Sequence, residues 1–289
     1  MARVEGVPLQ TPVDLPGSSR GAALGKRLLS TLILLPLFVW ILLGTPAWVF
    51  GAMVILVGTL GQWEFTRMFE RAGVRTLAGV GLLGGAAVTA SFAAGGAVPA
   101  VLGAVVLAVL TAALRRPRGA PAAWEPAAVT LLGICYVNWL LGHALWLRDL
   151  GEGADWVLLL VWVTWIGETA AYVVGSCLGR HKLAPVASPR KTVEGAVAQL
   201  AVSPLAVLLA QAWFMPSLSG RDVVLVGLLL GVAGQVGDLV ESALKRSVGT
   251  KDTGGIIPGH GGILDRLDGL LFNAPVLFYY VSWARAVGA

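Results

Sequence analysis

The chain has 289 residues, 56% of them hydrophobic and 13% charged, with a formal net charge of +5 and a mean hydropathy of +0.79. A soluble domain carries roughly 25% charged residues, so a water-soluble globular enzyme is excluded. The positive balance does not call for a nucleic-acid partner, because the Lys and Arg residues flank apolar runs, where membrane topology places them.

Residues 1–25 are rich in Pro, Gly and small polar residues and lack periodicity, which predicts a disordered cytoplasmic tail. Lys26-Arg27 then precede the apolar run Leu28–Gly44. That run is long and no small-x-small cleavage site follows before Pro46, so it is expected to be an uncleaved first span rather than a secretory signal. Further apolar runs cover 47–63, 77–94, 97–114, 127–147, 156–178, 195–215, 223–244 and 269–287. Each approaches the length of about 20 residues that crosses a bilayer as a helix. The expected fold is therefore an all-α polytopic membrane protein, a bundle of about nine transmembrane helices. A content of 38 Gly suits close helix packing in lipid, and Gly95-Gly96 predict a tight turn between the third and fourth spans. Residues 64–76 read as a cytoplasmic extension of the second helix, with Arg67 and Arg71 as a charged flank. Cys135 and Cys177 fall inside apolar spans and read as inert buried thiols. His143, on an apolar helix, reads as a packing or helix–helix hydrogen-bonding residue.

The charges orient this layout. Of the 21 Lys and Arg, Arg148, Arg221 and Arg285 alone fall on one side of the alternating loops. The positive-inside rule then puts the N-terminus in the cytoplasm and the C-terminus outside. The expected organisation is a tail at 1–25, N-terminal transmembrane helices at 26–150 and a catalytic transmembrane region at 151–289. Cytoplasmic loops 179–195 and 245–268 belong to the last of these.

Ionisable chemistry collects in that C-terminal region. Asp238, Glu241 and Lys245 are spaced three and four apart near the cytoplasmic end of the eighth span, on roughly one helix face. Asp265 and Asp268 stand at the mouth of the last span. Ionisable groups at membrane depth are costly and usually face a polar cavity. Four acids on two neighbouring helices suit an oxygen cage for Mg²⁺. Plainer readings stay open: a Glu241–Lys245 ion pair, and helix-capping acids at Asp265 and Asp268. Between the two groups, Gly249–Gly262 is glycine-rich and flanked by Lys245, Arg246, Lys251, His260 and Arg266, a pattern that suits a polyanion. His260 either donates to a phosphate or braces the loop. In the sixth loop, Ser188 and Thr192 offer hydroxyl donors and Lys191 a charge, with positive-inside flanking and a helix cap as the alternative. Glu168 is a lone acid within the sixth span.

Taken together, the residues Ser242–Asp268, the preceding Gly237-Asp238-Leu239-Val240-Glu241, the Ser188–Gly195 segment and Gly179–Leu183 resemble the phosphatidate cytidylyltransferase (CDP-diglyceride synthase) family. The resemblance covers roughly the C-terminal half; the N-terminal half matches in hydropathy. It departs at Glu168, where the family typically carries Asp. It implies a reaction of CTP with phosphatidic acid to give CDP-diacylglycerol and pyrophosphate, in the cytoplasmic membrane with the active site facing the cytoplasm. It also implies Mg²⁺, with a second cation open, and a homodimer. Charge repulsion between two polyanions is the obstacle, so metal and cation neutralisation should carry catalysis. On this reading Asp238, Asp265 and Asp268 hold Mg²⁺, with Glu241 and Glu168 as further candidate ligands. Lys245 and Arg246 join the catalytic set, and Lys251 and Arg266 neutralise the triphosphate. Ser188, Lys191, Thr192, His260, Gly261 and Gly262 complete the substrate-binding set.

Three other readings remain at this stage. An ion-coupled transporter would use Glu168, Asp238 and Glu241 as midplane sites, although no repeat relates the halves. A related enzyme would act on an ether-lipid or polyprenol phosphate. An inactive scaffold is the last.

Overall fold

The computed structural model describes residues 32–114, 124–257 and 261–286. The predicted tail 1–25, His260 and the Pro-rich basic loop around Arg115–Arg118 lie outside them or largely so. The chain folds as α1 (Leu32–Gly44), α2 (Ala47–Arg71), α3 (Ala78–Ala93), α4 (Val98–Leu114), α5 (Glu125–Gly133), α6 (Leu140–Asp149), α7 (Gly153–Leu178), α8 (Val193–Trp213), α9 (Gly220–Ser247) and α10 (Asp268–Ala286). A π-helical turn, Ile134–Trp139, joins α5 and α6 into one rod.

Helices therefore stand, within a few residues, where the apolar runs predicted them. Among the described residues, five helices meet both the length and the apolarity of a membrane crossing: Ala47–Arg71, Glu125–Asp149, Gly153–Leu178, Val193–Trp213 and Gly220–Ser247. Leu32–Gly44, Ala78–Ala93 and Val98–Leu114 are shorter apolar helices. Among the described residues the fold is all-α apart from one small hairpin that the helical reading does not anticipate. In it β1 (Lys182–Ala184) pairs antiparallel with β2 (Ser188–Thr192), in the register Lys182↔Thr192 and Ala184↔Ser188. Pro189 cannot continue a helix, and extended backbone at Thr192 turns the chain into α8.

Local chemistry sets the helix ends. Ser219 and Asp222 form a reciprocal capping box on α9, and Tyr280 Oη donates to Asp222 Oδ1 at 2.6 Å, tying α10 to the same end. Gly95 and Gly96 both adopt positive φ (69° and 105°), giving the expected tight turn between α3 and α4. α7, α8, α9 and α10 pack consecutively on one another. α9 approaches α10 so closely that a side chain at Gly237 would collide with the Asp268 carbonyl.

Polar contacts join the bundle. Asn138 Nδ2 donates to Gln62 Oε1 at 3.0 Å, and Thr89 Oγ1 donates to Asn138 Oδ1 at 3.1 Å. These bonds link α2, α3 and the π-turn in the buried interior. Asn273 Nδ2 donates to Thr164 Oγ1 at 2.8 Å between α10 and α7. His143 is fully buried, hydrogen-bonds the Trp139 carbonyl at 2.9 Å and lies among Phe92, Trp139 and Trp146, as a packing residue should. Its Nε2 also lies 3.4 Å from Tyr279 Oη on α10. Cys135 and Cys177 correct the sequence reading. Both are free thiols on exposed faces of their helices. In a membrane bundle an apolar run faces lipid as readily as protein, so apolar surroundings in sequence do not imply burial.

Asn138→Ala removes two interhelical hydrogen bonds and is expected to destabilise the bundle by about 1–2 kcal/mol. A denaturant titration of the detergent-solubilised chain checks this; an unchanged midpoint would remove the network from the account.

Candidate active site

The site begins at the C-terminal end of α9. Asp238 and Glu241 sit three apart on it, and Asp268 opens the neighbouring α10. One carboxylate oxygen from each lies within 4.8 Å of the others. Glu241 is 1% exposed. Ammonium groups border the cluster from two sides. Lys191 Nζ, at the end of β2, stands 2.6 Å from Asp238 Oδ2. Lys245 Nζ stands 3.2 Å from Glu241 Oε2, at ion-pair distance without hydrogen-bond alignment. The sixth and eighth loops, separate in sequence, thus meet at one place.

Asp265 does different work. Its Oδ1 accepts from Lys245 Nζ at 2.8 Å, and its Oδ2 accepts from Thr253 N (3.1 Å), Thr253 Oγ1 (3.0 Å) and Gly262 N (2.9 Å). Burial pushes this carboxyl upward, but the Lys245 ammonium and the Gly262 and Thr253 N–H groups outweigh burial and hold it below the usual range. It therefore ties the glycine-rich loop to α9. Asp268 accepts from Gly269 N at 2.8 Å, so it also serves the start of its helix.

Glu168 on α7 lies beside the cluster rather than within the three-carboxylate group. It is in electrostatic contact with Asp268, Asp238, Arg266 and Lys191, and its Oε1 is buried without a hydrogen-bond partner. It packs against Gly269, where a side chain would collide with it. Thr192 Oγ1 accepts from Gly195 N at 3.2 Å and caps α8, which agrees with the helix-cap reading. Ser188 stands at the far end of β2. Arg246 is exposed and donates to the Thr250 carbonyl at 3.3 Å; Lys251 and Arg266 are exposed as well. Gly261 has φ +86°, and its carbonyl accepts from Ile257 N at 3.0 Å to close the loop. Gly249, φ +70°, ends α9.

Two participants were missed in the sequence. Glu64 on α2 was read as part of a cytoplasmic extension, yet it is 1% exposed and accepts from Leu264 N at 2.9 Å. The signal was present: Gly61, Phe65, Met68 and Phe69 continue a helical apolar face past it, and all are buried. Tyr136, on the π-turn, has a buried hydroxyl without a hydrogen-bond partner and is in electrostatic contact with Glu241, Asp268, Asp238 and Asp265. π-turns recur at functional sites.

The cluster fits a hard divalent cation. Three ionised carboxylates this close repel one another, and oxygen donors of this type suit such an ion. The basic loop residues beside them suit a phosphorylated substrate.

The largely helical, apolar bundle thus gathers acids and two lysines at one place, on α9, α10 and β2, the make-up of a membrane-embedded protein with a charged site. Residues 25–284 match the cytidylyltransferase family, and the chain belongs to it. Proteins named phosphatidate cytidylyltransferase are similar to part of it. The Staphylococcus aureus protein is 43% identical over 152 residues, which is 52% of this chain and 57% of the relative. Those of Staphylococcus saprophyticus and Staphylococcus epidermidis are 41% and 40% identical over 151 residues, with the same coverage. The match thus spans little more than half the length of the curated relatives.

Asp238→Asn or Asp268→Asn is expected to weaken Mn²⁺ binding to the purified chain by about tenfold or more. An electron paramagnetic resonance titration checks this without any turnover; wild-type affinity in both variants would remove the cation from this cluster.

Proposed function

We propose that the chain transfers a cytidylyl group from CTP to phosphatidic acid, giving CDP-diacylglycerol and pyrophosphate in phospholipid biosynthesis. The observation that carries this reading is the three-carboxylate cluster of Asp238, Glu241 and Asp268, bordered by Lys191 and Lys245. Family membership and the names of the relatives support it.

In the reaction, a phosphate oxygen of the lipid attacks the α-phosphorus of CTP. A new P–O bond forms as the bond to the β-phosphate oxygen breaks, and pyrophosphate leaves with that oxygen. Asp238, Glu241 and Asp268 would hold Mg²⁺, with Asp265 fixing the loop beside them and Glu168, on α7, packed against the start of α10. When bound, the metal supplies charge neutralisation at the phosphate oxygens. Lys191 and Lys245 orient the carboxylates and sit where displaced negative charge would gather. Arg246, Lys251 and Arg266, on the exposed side, draw in the triphosphate and receive the pyrophosphate. Ser188 contributes a hydroxyl donor and Gly261 and Gly262 let the backbone approach the phosphates, and His260 is a further candidate phosphate donor.

The membrane reading carries further proposals. About nine helices cross the cytoplasmic membrane, with the N-terminus inside and the C-terminus outside. The site faces the cytoplasm, where CTP is available, and the chain forms a homodimer. Residues 26–150 act as the transmembrane support and 151–289 as the catalytic region. The distribution of Lys and Arg supports this orientation.

Purified chain with Mg²⁺, labelled CTP and a panel of lipid phosphates is expected to yield labelled CDP-diacylglycerol from phosphatidic acid. Lys245→Met is expected to lower turnover by about 100-fold or more. Product from an ether-lipid or polyprenol phosphate alone would replace the substrate, and absence of any nucleotide-dependent product would overturn the reading.

A further inference from the structure

Glu64 belongs to the N-terminal helices, some 200 residues before the loop it touches. Its Oε2 accepts from Leu264 N at 2.9 Å and lies 3.4 Å from Thr253 Oγ1. Thr253 has one hydroxyl proton, and Asp265 Oδ2 is nearer to it at 3.0 Å. The firm bond to Glu64 is therefore the backbone one. It falls at the end of the loop, while Thr253 sits at its beginning. Both Glu64 and Thr253 are 1% exposed.

The loop is shaped around this carboxylate. A Cβ at Gly254 would collide with Glu64 Oε1, and one at Gly262 would collide with Glu64 Oε2 and Thr253 Oγ1. Two of the loop's glycines thus leave room for a carboxylate supplied by another helix. Mere packing between α2 and the loop would be better served by an apolar side chain, because burying a carboxylate is costly unless it is bonded. Leu264 and Leu267 pack near Gly61, one turn earlier on α2, so the contact has a rigid footing.

From these contacts we infer that Glu64 is a positioning residue: it holds Thr253 and Gly254 against Gly262 and Leu264, so that Asp265 can engage Lys245 and the flanks of the loop can bind the nucleotide triphosphate. The nucleotide role rests on the function proposed above; the anchoring role does not. Glu64 acts through the loop and touches neither substrate nor the three-carboxylate group. Its loss should loosen CTP binding and leave the lipid phosphate largely unaffected.

The test uses the full chain in detergent or nanodiscs, with Glu64→Ala and Glu64→Gln. Hydrogen exchange of the Thr253–Leu264 segment is expected to quicken about tenfold or more in Glu64→Ala, with the α7–α8 helices unchanged. The KM for CTP is expected to rise about tenfold, with the KM for phosphatidic acid within about twofold. Glu64→Gln keeps one acceptor oxygen and should recover part of both effects. A folded Glu64→Ala with wild-type exchange and wild-type KM for CTP would overturn the inference. So would a uniform fall in kcat with no change in either quantity. If Glu64→Ala does not fold, Gly254→Ala approaches the same contact from the loop side and should give the same CTP-selective change; its absence there also overturns the inference. If the wild-type chain makes no CDP-lipid, the proposed function fails, and hydrogen exchange alone still decides the role of Glu64.

Discussion

One ammonium group organises the site. Lys245 Nζ lies 3.2 Å from Glu241 Oε2 on its own helix and 2.8 Å from Asp265 Oδ1 in the loop. All three side chains are largely withdrawn from water, at 14%, 1% and 9% exposure. Removing one partner of such a buried pair typically costs about 3–5 kcal/mol, because the other charge is left uncompensated. Lys245 therefore does more than balance charge. It decides where Asp265 points, and through Asp265 it decides the path of the loop from Thr253 to Gly262.

Around that ion pair the acids divide their labour. Asp265 is saturated by donors from Lys245, Thr253 and Gly262, so it works as a structural fastener. Asp238, Glu241 and Asp268 each bring one carboxylate oxygen within 4.8 Å of the others, an arrangement that suits a divalent cation. Lys191 reaches the group from a hairpin that interrupts an otherwise helical chain. The hairpin is in turn held by Glu194, which accepts from His181 Nδ1 at 2.6 Å and from Arg180 N at 3.1 Å. Helix α9 thus supplies Lys245 along with position, and the hairpin brings Lys191 to the acids from outside the helices.

Much of this was legible in the residues, for physical reasons. Apolar runs of near-constant length locate the helices, since each must satisfy its own backbone in lipid. Polar residues between such runs stand out, which is why Ser242–Asp268 identified itself. What escaped depended on direction rather than composition. Asp265 and Asp268, three apart, looked equivalent, but the turn at Leu264–Arg266 ends at Leu267 before α10 begins, and the two acids serve different partners. Glu64 looked like part of a soluble flank because Arg67 and Arg71 follow it; only the continued apolar face betrayed its burial. Cys135 and Cys177 looked buried because lipid and protein interior read alike in sequence.

The decisive measurement is a double-mutant cycle between Lys245 and Asp265, read as unfolding free energy in a detergent titration of the wild type, Lys245→Met, Asp265→Asn and the double variant. If one ion pair fastens the loop to α9, the double variant should be more stable than the sum of the single losses by about 1.5 kcal/mol or more. Losses that add within about 0.5 kcal/mol would show that the two residues act independently and would contradict the account.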